Sequence, residues 1–369
     1  MTPINQARSA EPAGTGPREP ARDDCGHPLD PVPKPETGAS PIRIGHHTLP
    51  NNVLLAPMSG VSDLPFRRLA HELGAGLVVS EMVASRELVG ARPDVVRRAS
   101  GDGLSPHTIQ LVGCEAHWMA EGARIAEASG AEIIDINMGC PAREVTGRLS
   151  GSALMREPDQ ALALVEAVTK AVRVPVTLKM RLGWDDRSVN APAIARRAEE
   201  AGIRLVTVHG RTRNQFFKGT ADWRRVADVK AAVSIPVVVN GDITGPAEAR
   251  DAMSRSGADG VMIGRGAYGA PWLPARIAAT LSGGDDPGPP SLARQRSIAH
   301  AHISDMLEHY GRQLGLKNAR KHVGWYIASS GMPGEAARLW RRRLCTEECA
   351  EKLLAGLHDF YVEAEEHAA

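Results

Sequence analysis

From residue 53 onward, short apolar runs rich in Val, Ile, Leu and Met alternate with longer stretches in which Ala, Arg and Glu recur at helical spacing. Eight such runs occupy residues 53–58, 76–82, 107–112, 133–139, 176–183, 205–211, 237–243 and 260–265. Stretches 118–129, 160–171, 191–201, 223–232 and 246–256 fall between them. Short runs with few polar interruptions predict strands buried on both faces, and the intervening segments predict amphipathic helices that cover them. Gly130, Gly202 and Gly257 stand where three of these helices would end, the position at which a left-handed residue stops a helix. Eight strands, each leading into a helix, predict an α/β protein built on a closed (β/α)8 barrel, the TIM barrel, over residues 41–281. An open doubly wound sheet is the competing arrangement. Against it, no G-x-G-x-x-G follows the first run, and polar residues recur at the C-terminal ends of most runs, which converge on one mouth in a barrel.

The pattern changes beyond that region. Residues 271–281 predict a closing helix, and residues 282–290, Ser-Gly-Gly-Asp-Asp-Pro-Gly-Pro-Pro, predict a linker. Residues 291–369 keep helical periodicity without a strand signal and predict a small C-terminal helical bundle. Residues 1–40, rich in Pro, Gly and charge, have too little apolar surface to offset the entropy of ordering; they predict a disordered N-terminal extension, not a signal peptide. The longest apolar stretches fall far short of the roughly 20 residues that span a bilayer, so no membrane partner is expected.

Composition adds three constraints. Hydrophobic residues at 43% and charged residues at 24% are ordinary for a globular chain able to bury a large core. A formal net charge of +1 gives no nucleic-acid signal for the whole molecule, yet residues 291–343 hold 10 Lys or Arg against 3 Asp or Glu. That local excess of positive charge predicts a surface for phosphates. The five cysteines are scattered and lack paired C-x-x-C spacing, which predicts no metal site and a reduced, cytoplasmic setting. Oligomeric state is left open, a monomer being compatible.

The polar groups at the predicted mouth are Ser59, Glu81, Gln110, Asn137, Lys179, His209 with Arg211, Asn240 with Asp242, and Arg265. Amides, a carboxylate and an ammonium suit the edge of a heteroaromatic ring with both donors and acceptors. Lys179 sits in the middle of a strand pattern, where an unused lysine would be costly, and could set positive charge beside a flavin. The turns Asn240-Gly241-Asp242 and Ile263-Gly264-Arg265-Gly266 follow the seventh and eighth runs, where many barrels bind phosphate. Either turn alone reads as a tight loop; the pair predicts a mononucleotide. For His209, a structural role and contact with flavin or substrate all stay open. Cys140 lies on a loop beyond the fourth run, between Gly139 and Pro141. A buried cysteine is usually a small hydrophobe, but a thiol with a pKa of about 8.5 projecting over the mouth stays protonated at neutral pH and can act as a general acid. Cys114 is a weaker candidate, and Cys345 and Cys349, four apart on a predicted helix, read as structural.

The segments Ala56-Pro57-Met58-Ser59-Gly60-Val61-Ser62-Asp63, Val79-Ser80-Glu81-Met82, Asp135-Ile136-Asn137-Met138-Gly139-Cys140-Pro141 and Gly151-Ser152-Ala153-Leu154-Met155 carry a resemblance. So do Leu178-Lys179-Met180-Arg181-Leu182-Gly183, Val208-His209-Gly210-Arg211-Thr212, Asn240-Gly241-Asp242-Ile243, Met262-Ile263-Gly264-Arg265 and, in the helical region, residues 319–326. In this order they resemble the bacterial tRNA-dihydrouridine synthases, especially the DusB-like branch, from about residue 41 to 345. The resemblance implies FMN held by Pro57, Met58, Ser59, Gln110, Lys179, the Asn240-Gly241-Asp242 turn and Gly264-Arg265, with His209 grouped beside them. It also implies NADPH-driven reduction of the C5=C6 bond of a tRNA uridine, hydride reaching C6 from the flavin and Cys140 protonating C5 on the opposite face. The base must leave its stack to be reached. Asn137 and Arg211 are expected beside the uracil, and Lys317, Arg320 and Lys321 on tRNA phosphates, with salt-dependent affinity. Two departures stand out: Ser59 where the family often has Ala, and Ala142-Arg143-Glu144 where Ala-Lys-Lys is more usual. The alternative reading is an FMN barrel acting on a free pyrimidine, as dihydroorotate dehydrogenases do, which leaves the C-terminal domain without a use. A third is a non-catalytic RNA-binding or regulatory protein that retains the barrel.

Overall fold

The computed structural model describes residues 41–142 and 150–368. The expected N-terminal extension, 1–40, lies outside the described residues, as do Arg143 and Glu144. The first element is a hairpin of β1 (Arg43–Ile44) and β2 (His47–Thr48), turned by Gly45 at φ +60°. Eight parallel strands then close on themselves: β3 (Val53–Leu55), β4 (Leu77–Ala84), β5 (Thr108–Val112), β6 (Ile133–Met138), β7 (Val176–Arg181), β8 (Val206–His209), β9 (Val237–Asn240) and β10 (Gly260–Ile263), with β10 pairing to both β9 and β3. The barrel expected from the eight runs is therefore the observed fold. Most strands stop short of the apolar run that announced them, because the last residues of each run leave the ladder as loops at the mouth.

Helices cover the outside: α1 (Leu64–Glu72), α2 (Ser85–Val89), α3 (Pro93–Ala99), α4 (Ala116–Ala128), α5 (Pro158–Ala171), α6 (Ala191–Glu200), α7 (Arg224–Ala232), α8 (Pro246–Ser256) and α9 (Leu273–Leu281). Gly130, Gly202 and Gly257 take φ values of +91°, +102° and +61°, as their places after α4, α6 and α8 require. The helix pattern had not marked α1. Its start is signalled instead by Asp63, whose side-chain Oδ1 accepts the Phe66 N–H at 3.1 Å, with Pro65 in the first turn.

Strand alternation sorts the interior. Val53, Leu55, Ile109, Leu111, Ile134 and Ile136 belong to the core packed with the surrounding helices. Leu54, Leu77, Ile133, Leu205, Val238 and Met262 form a separate cluster, floored by Ile42, Ile44 and Leu49 from the hairpin and its flanks. Higher along the same strands Gln110, Asp135, Asn137, Lys179, His209 and Asn240 are buried as well. The barrel thus has an apolar floor and a polar upper layer, which is where the amide and charged side chains of these strands gather.

Beyond α9, Arg276 clamps Asp286 of the linker with two bonds of 2.8 and 2.6 Å. Four helices follow: α10 (Leu292–Tyr310), α11 (Arg312–Ser329), α12 (Gly334–Leu344) and α13 (Ala350–Ala368). Their core joins Ile298, Ile303, Met306, Val323, Leu353, Leu357 and Phe360, and it also takes in Leu69 of α1, Leu73 just after it and Trp272 just before α9. The Tyr310 hydroxyl donates to Asp63 at 3.0 Å across the same contact. The bundle is thus packed on the barrel through a continuous apolar core. No described helix is long and apolar enough to cross a membrane.

Candidate active site

The C-terminal ends of the strands surround a cavity of about 690 Å3. Pro57, Met58 and Ser59 after β3, Gln110, Asn137, Lys179, His209, the turns 240–242 and 264–265, Arg211 and Cys140 all line it. Every residue expected from sequence to hold the cofactor thus faces one space, with the thiol at its rim. Glu81, expected in the same ring, sits outside the lining. Its carboxylate accepts the Gly60 N–H and so fixes the turn that follows Ser59.

A hydrogen-bonded chain fixes the polar layer. Asn137 donates through Nδ2 to Gln110 Oε1 (2.7 Å), Gln110 donates to Asp135 (2.6 Å), and Thr177 donates to the other Asp135 oxygen (2.6 Å). The Asn137 side-chain oxygen Oδ1 accepts the N–H groups of Gly139 and Cys140 at 3.2 and 3.0 Å. Arg181 holds the Gly139 carbonyl at 2.8 Å, and the Ser152 hydroxyl holds that of Cys140, also at 2.8 Å. The loop carrying the thiol is therefore fixed from three strands or turns, which limits the directions in which the thiol can point.

On the far wall Lys179 donates to Asn240 Oδ1 at 3.3 Å, and Asn240 donates in turn to the Met262 carbonyl at 2.8 Å. The turn beyond Asn240 combines Gly241 at φ +115° with Asp242 at φ +54°. Any side chain on Gly241 would come within 2.8 Å of the His209 ring. Gly264 has open cavity before it, since a Cβ there would find nothing closer than 3.9 Å. Both glycines line the cavity, and glycine at such turns permits the close approach of an anion to the backbone that barrel phosphate sites use.

Arg211 was expected to meet substrate, and the structure commits it otherwise. Its guanidinium bonds both Asp242 oxygens (2.9 and 2.5 Å) and the carbonyls of Lys218 and Gly219 (3.1 and 2.7 Å). It is 1% exposed. With its donors consumed by the β9 turn and the 218–219 loop, Arg211 braces the cavity wall rather than reaching into it.

Charge in the site is predominantly positive. Lys179, Arg181, Arg211 and Arg265 face two carboxylates, Asp135 and Asp242. Burial, reinforced by Arg181, pushes the Lys179 ammonium down to about 8. Burial and Arg211 likewise lower Arg181 to about 10. His209 lies well below its usual value because burial is followed by repulsion from Arg181, Lys179, Arg211 and Arg265, so its ring is neutral at physiological pH. Its Nε2 is 3.3 Å from Arg211 Nη1. A guanidinium only donates, so Nε2 accepts and the ring proton sits on Nδ1. Burial raises the Asp135 carboxyl.

The basic residues proposed for RNA fall into three environments. Lys321 comes close to the turn that follows the lining residue Ser59, its Nζ 3.5 Å from where a Cβ on Gly60 would lie. Lys317 is exposed, and Arg320 is half-buried with one nitrogen on the Glu347 carbonyl at 3.2 Å. Sequence reasoning assigned no role to Arg181, although its segment belonged to the resemblance, nor to Phe217, 51% exposed at the cavity edge with the guanidiniums of Arg181 and Arg265 5.5 and 5.0 Å from its ring centre. The signal for Phe217 was the pair Phe216-Phe217 in a chain poor in aromatics.

Comparison with known proteins points to one family. The family model described as dihydrouridine synthase (Dus) matches residues 54–364. A Rhodobacter capsulatus protein named "Probable tRNA-dihydrouridine synthase" is 58% identical over 284 residues, covering 76% of this chain and 87% of that relative. The tRNA-dihydrouridine synthase B of Pseudomonas putida is 43% identical over 325 residues, covering 88% of this chain and 95% of that one. Among solved structures, histamine dehydrogenase from Rhizobium sp. 4-9 has a TM-score of 0.52 at 14% identity, covering 90% of this chain and 64% of that one. A 2-naphthoyl-CoA reductase has a TM-score of 0.51 at 14% identity, covering 66% and 52%. The chain spans only about half to two thirds of those two proteins, and the likeness to them is one of fold.

Proposed function

Because the chain belongs to the dihydrouridine synthase family, we propose that it is an FMN-dependent oxidoreductase that uses NADPH to reduce a uridine of tRNA at C5=C6, with Cys140 as the proton donor. The observation that carries the reading is the convergence of two features on one cavity. Adjacent turns at Gly241 and Gly264 suit a phosphate, and the Gln110, Asn137, Lys179 layer suits the edge of an isoalloxazine. A dianionic phosphate fits the positive balance of the site, and the open face of Gly264 leaves room for it. FMN, when bound there, would supply the hydride that adds to C6.

The chain's own residues supply the rest. Asn240 and Lys179 would set donors and positive charge along one ring edge, and neutral His209 would offer its Nδ1–H without adding a further cation. Cys140, held by Asn137, Arg181 and Ser152, would stand over the substrate and give its S–H proton to C5. The uracil would have to leave the RNA stack to enter a cavity this deep, and Lys321 beside the Gly60 turn, together with Lys317, would hold the flanking phosphates. The free-pyrimidine alternative gains no support from the relatives, whose names specify tRNA.

The test is a separation of half-reactions. Purified protein is expected to release FMN on denaturation. Cys140→Ala is expected to retain FMN and NADPH oxidation while dihydrouridine formation falls by roughly 100-fold or more. Undiminished product from the variant would remove the thiol from the mechanism.

A further inference from the structure

The helical domain touches more than RNA-facing surface, because the turn assigned to the cofactor phosphate continues directly into it. Gly264 and Arg265 open a short 3-10 turn, Arg265–Ala267, and Tyr268 follows. Tyr268 lines the cavity and is stacked on Trp325 of α11, ring centres 4.0 Å apart and planes 20° from parallel. The next residue, Gly269, takes φ +66°, and a Cβ there would lie 2.3 Å from the Trp325 carbonyl oxygen. Only glycine lets the α11 backbone rest on this strap. Ser329, one turn further along α11, donates its hydroxyl to the Gly269 carbonyl at 2.6 Å. Three residues on, Trp272 is sunk in the helical core with Ile298 and Val323. At the other end of the turn, Gly266 sits so close to the β9 loop that a Cβ would meet the Ile243 carbonyl at 2.6 Å. The phosphate turn is therefore gripped on one side by the barrel and on the other by α11.

We infer that Trp325 and Ser329 of the helical domain are positioning residues for the flavin phosphate: by clamping Tyr268 and Gly269 they hold the Gly264–Arg265 turn in the shape that binds it. The inference rests on the reading above that FMN occupies this cavity with its phosphate at those turns. It gives residues 319–326, noted in the sequence for their resemblance, a task distinct from RNA contact. Lys321 lies one turn before Trp325, so one helix would meet both the RNA and the cofactor's phosphate turn.

The experiment compares two flavins on the full-length apoprotein. FMN carries the phosphate and riboflavin lacks it, so the ratio of their dissociation constants isolates what the turn contributes. Titrations followed by flavin fluorescence, with folding checked by circular dichroism, are run on the natural chain and on Trp325→Ala, Trp325→Phe and Ser329→Ala. Loss of an aromatic stack is expected to weaken FMN at least about fivefold in Trp325→Ala, with riboflavin affinity held within about twofold. Trp325→Phe, which keeps a ring against Tyr268, is expected to recover most of the FMN affinity. Ser329→Ala, a surface change that leaves folding intact, is expected to shift the ratio in the same direction by a smaller factor. Equal losses for both flavins, or no change in either Trp325→Ala or Ser329→Ala, would overturn the inference. A natural chain that binds FMN no better than riboflavin would instead remove the phosphate site on which it rests.

Discussion

Lys179 offers a test in which stability and function move in opposite directions. Its ammonium is buried on β7 with a hydrogen bond of 3.3 Å to Asn240, and burial brings its pKa from 10.5 to about 8. The folded protein without ligand therefore holds this charge at a disadvantage of roughly 3 kcal/mol relative to the unfolded chain. Lys179→Met keeps the length of the side chain and removes the charge. The variant loses the bond to Asn240, at a cost of about 1 kcal/mol, and removes a partner that favours ionised Asp135. The net expectation is an apoprotein stabilised by roughly 1–2 kcal/mol at pH 7. The sign follows from proton counting. Below pH 8 both folded and unfolded chains carry the proton, so the penalty is present in full. Between about 8 and 10.5 only the unfolded chain keeps it, so the natural protein gains stability as pH rises. The difference between variant and natural chain should thus shrink across that window. Urea denaturation of both apoproteins at pH 7 and pH 10 reads it directly. Loss of positive charge beside the bound ring should meanwhile slow flavin reduction by NADPH by roughly 10- to 100-fold, measured anaerobically by stopped flow. A variant that is less stable at pH 7 and reduces flavin at the natural rate would refute both the assignment of Lys179 and the electrostatic account of its burial.

Three further outcomes follow from particular contacts. Gly241→Ala should weaken FMN by more than about tenfold with circular dichroism unchanged, since the new methyl would press on the His209 ring within 2.8 Å and the backbone sits at φ +115°; natural affinity would show that the β9 turn is not a cofactor contact. Asp63, raised from 3.8 to about 7 chiefly by burial, holds its proton in the folded chain where the unfolded chain has lost it, so stability should fall as pH rises from about 4 to 7. Asp63→Asn keeps the acceptor for Phe66 and should flatten that slope, up to roughly 4 kcal/mol across the window; identical denaturation profiles at pH 5 and pH 8 would refute it. Lys317→Ala should weaken tRNA binding and lower the slope of log affinity against log salt by about 1, and an unchanged slope would take this residue off the phosphate path.

The fold was legible because its evidence is local. Each strand needs only its own few residues to announce burial on both faces, and Gly130, Gly202 and Gly257 mark helix ends wherever the rest of the chain lies. Helix α1 is not marked by apolar periodicity, and its decisive signals are the cap at Asp63 and Pro65. Much of the site was legible for a related reason: strand ends in a closed barrel must converge, so polar residues there share a cavity whatever the loops do. What pattern alone could not supply is which of those polar groups remains available. Arg211 and Arg181 look alike at strand ends, yet Arg211 is spent on Asp242, 31 residues away, and Arg181 on the carbonyl of Gly139, 42 residues back. Glu81 is drawn out of the lining by the Gly60 N–H. In each case residue type gives the capacity to bind, and a long-range partner decides whether that capacity is used on ligand or on scaffold. The same logic separates Lys179, with its single long bond to a side chain, from Arg211, whose donors are consumed, and makes Lys179 the cation best placed to act on a bound ring.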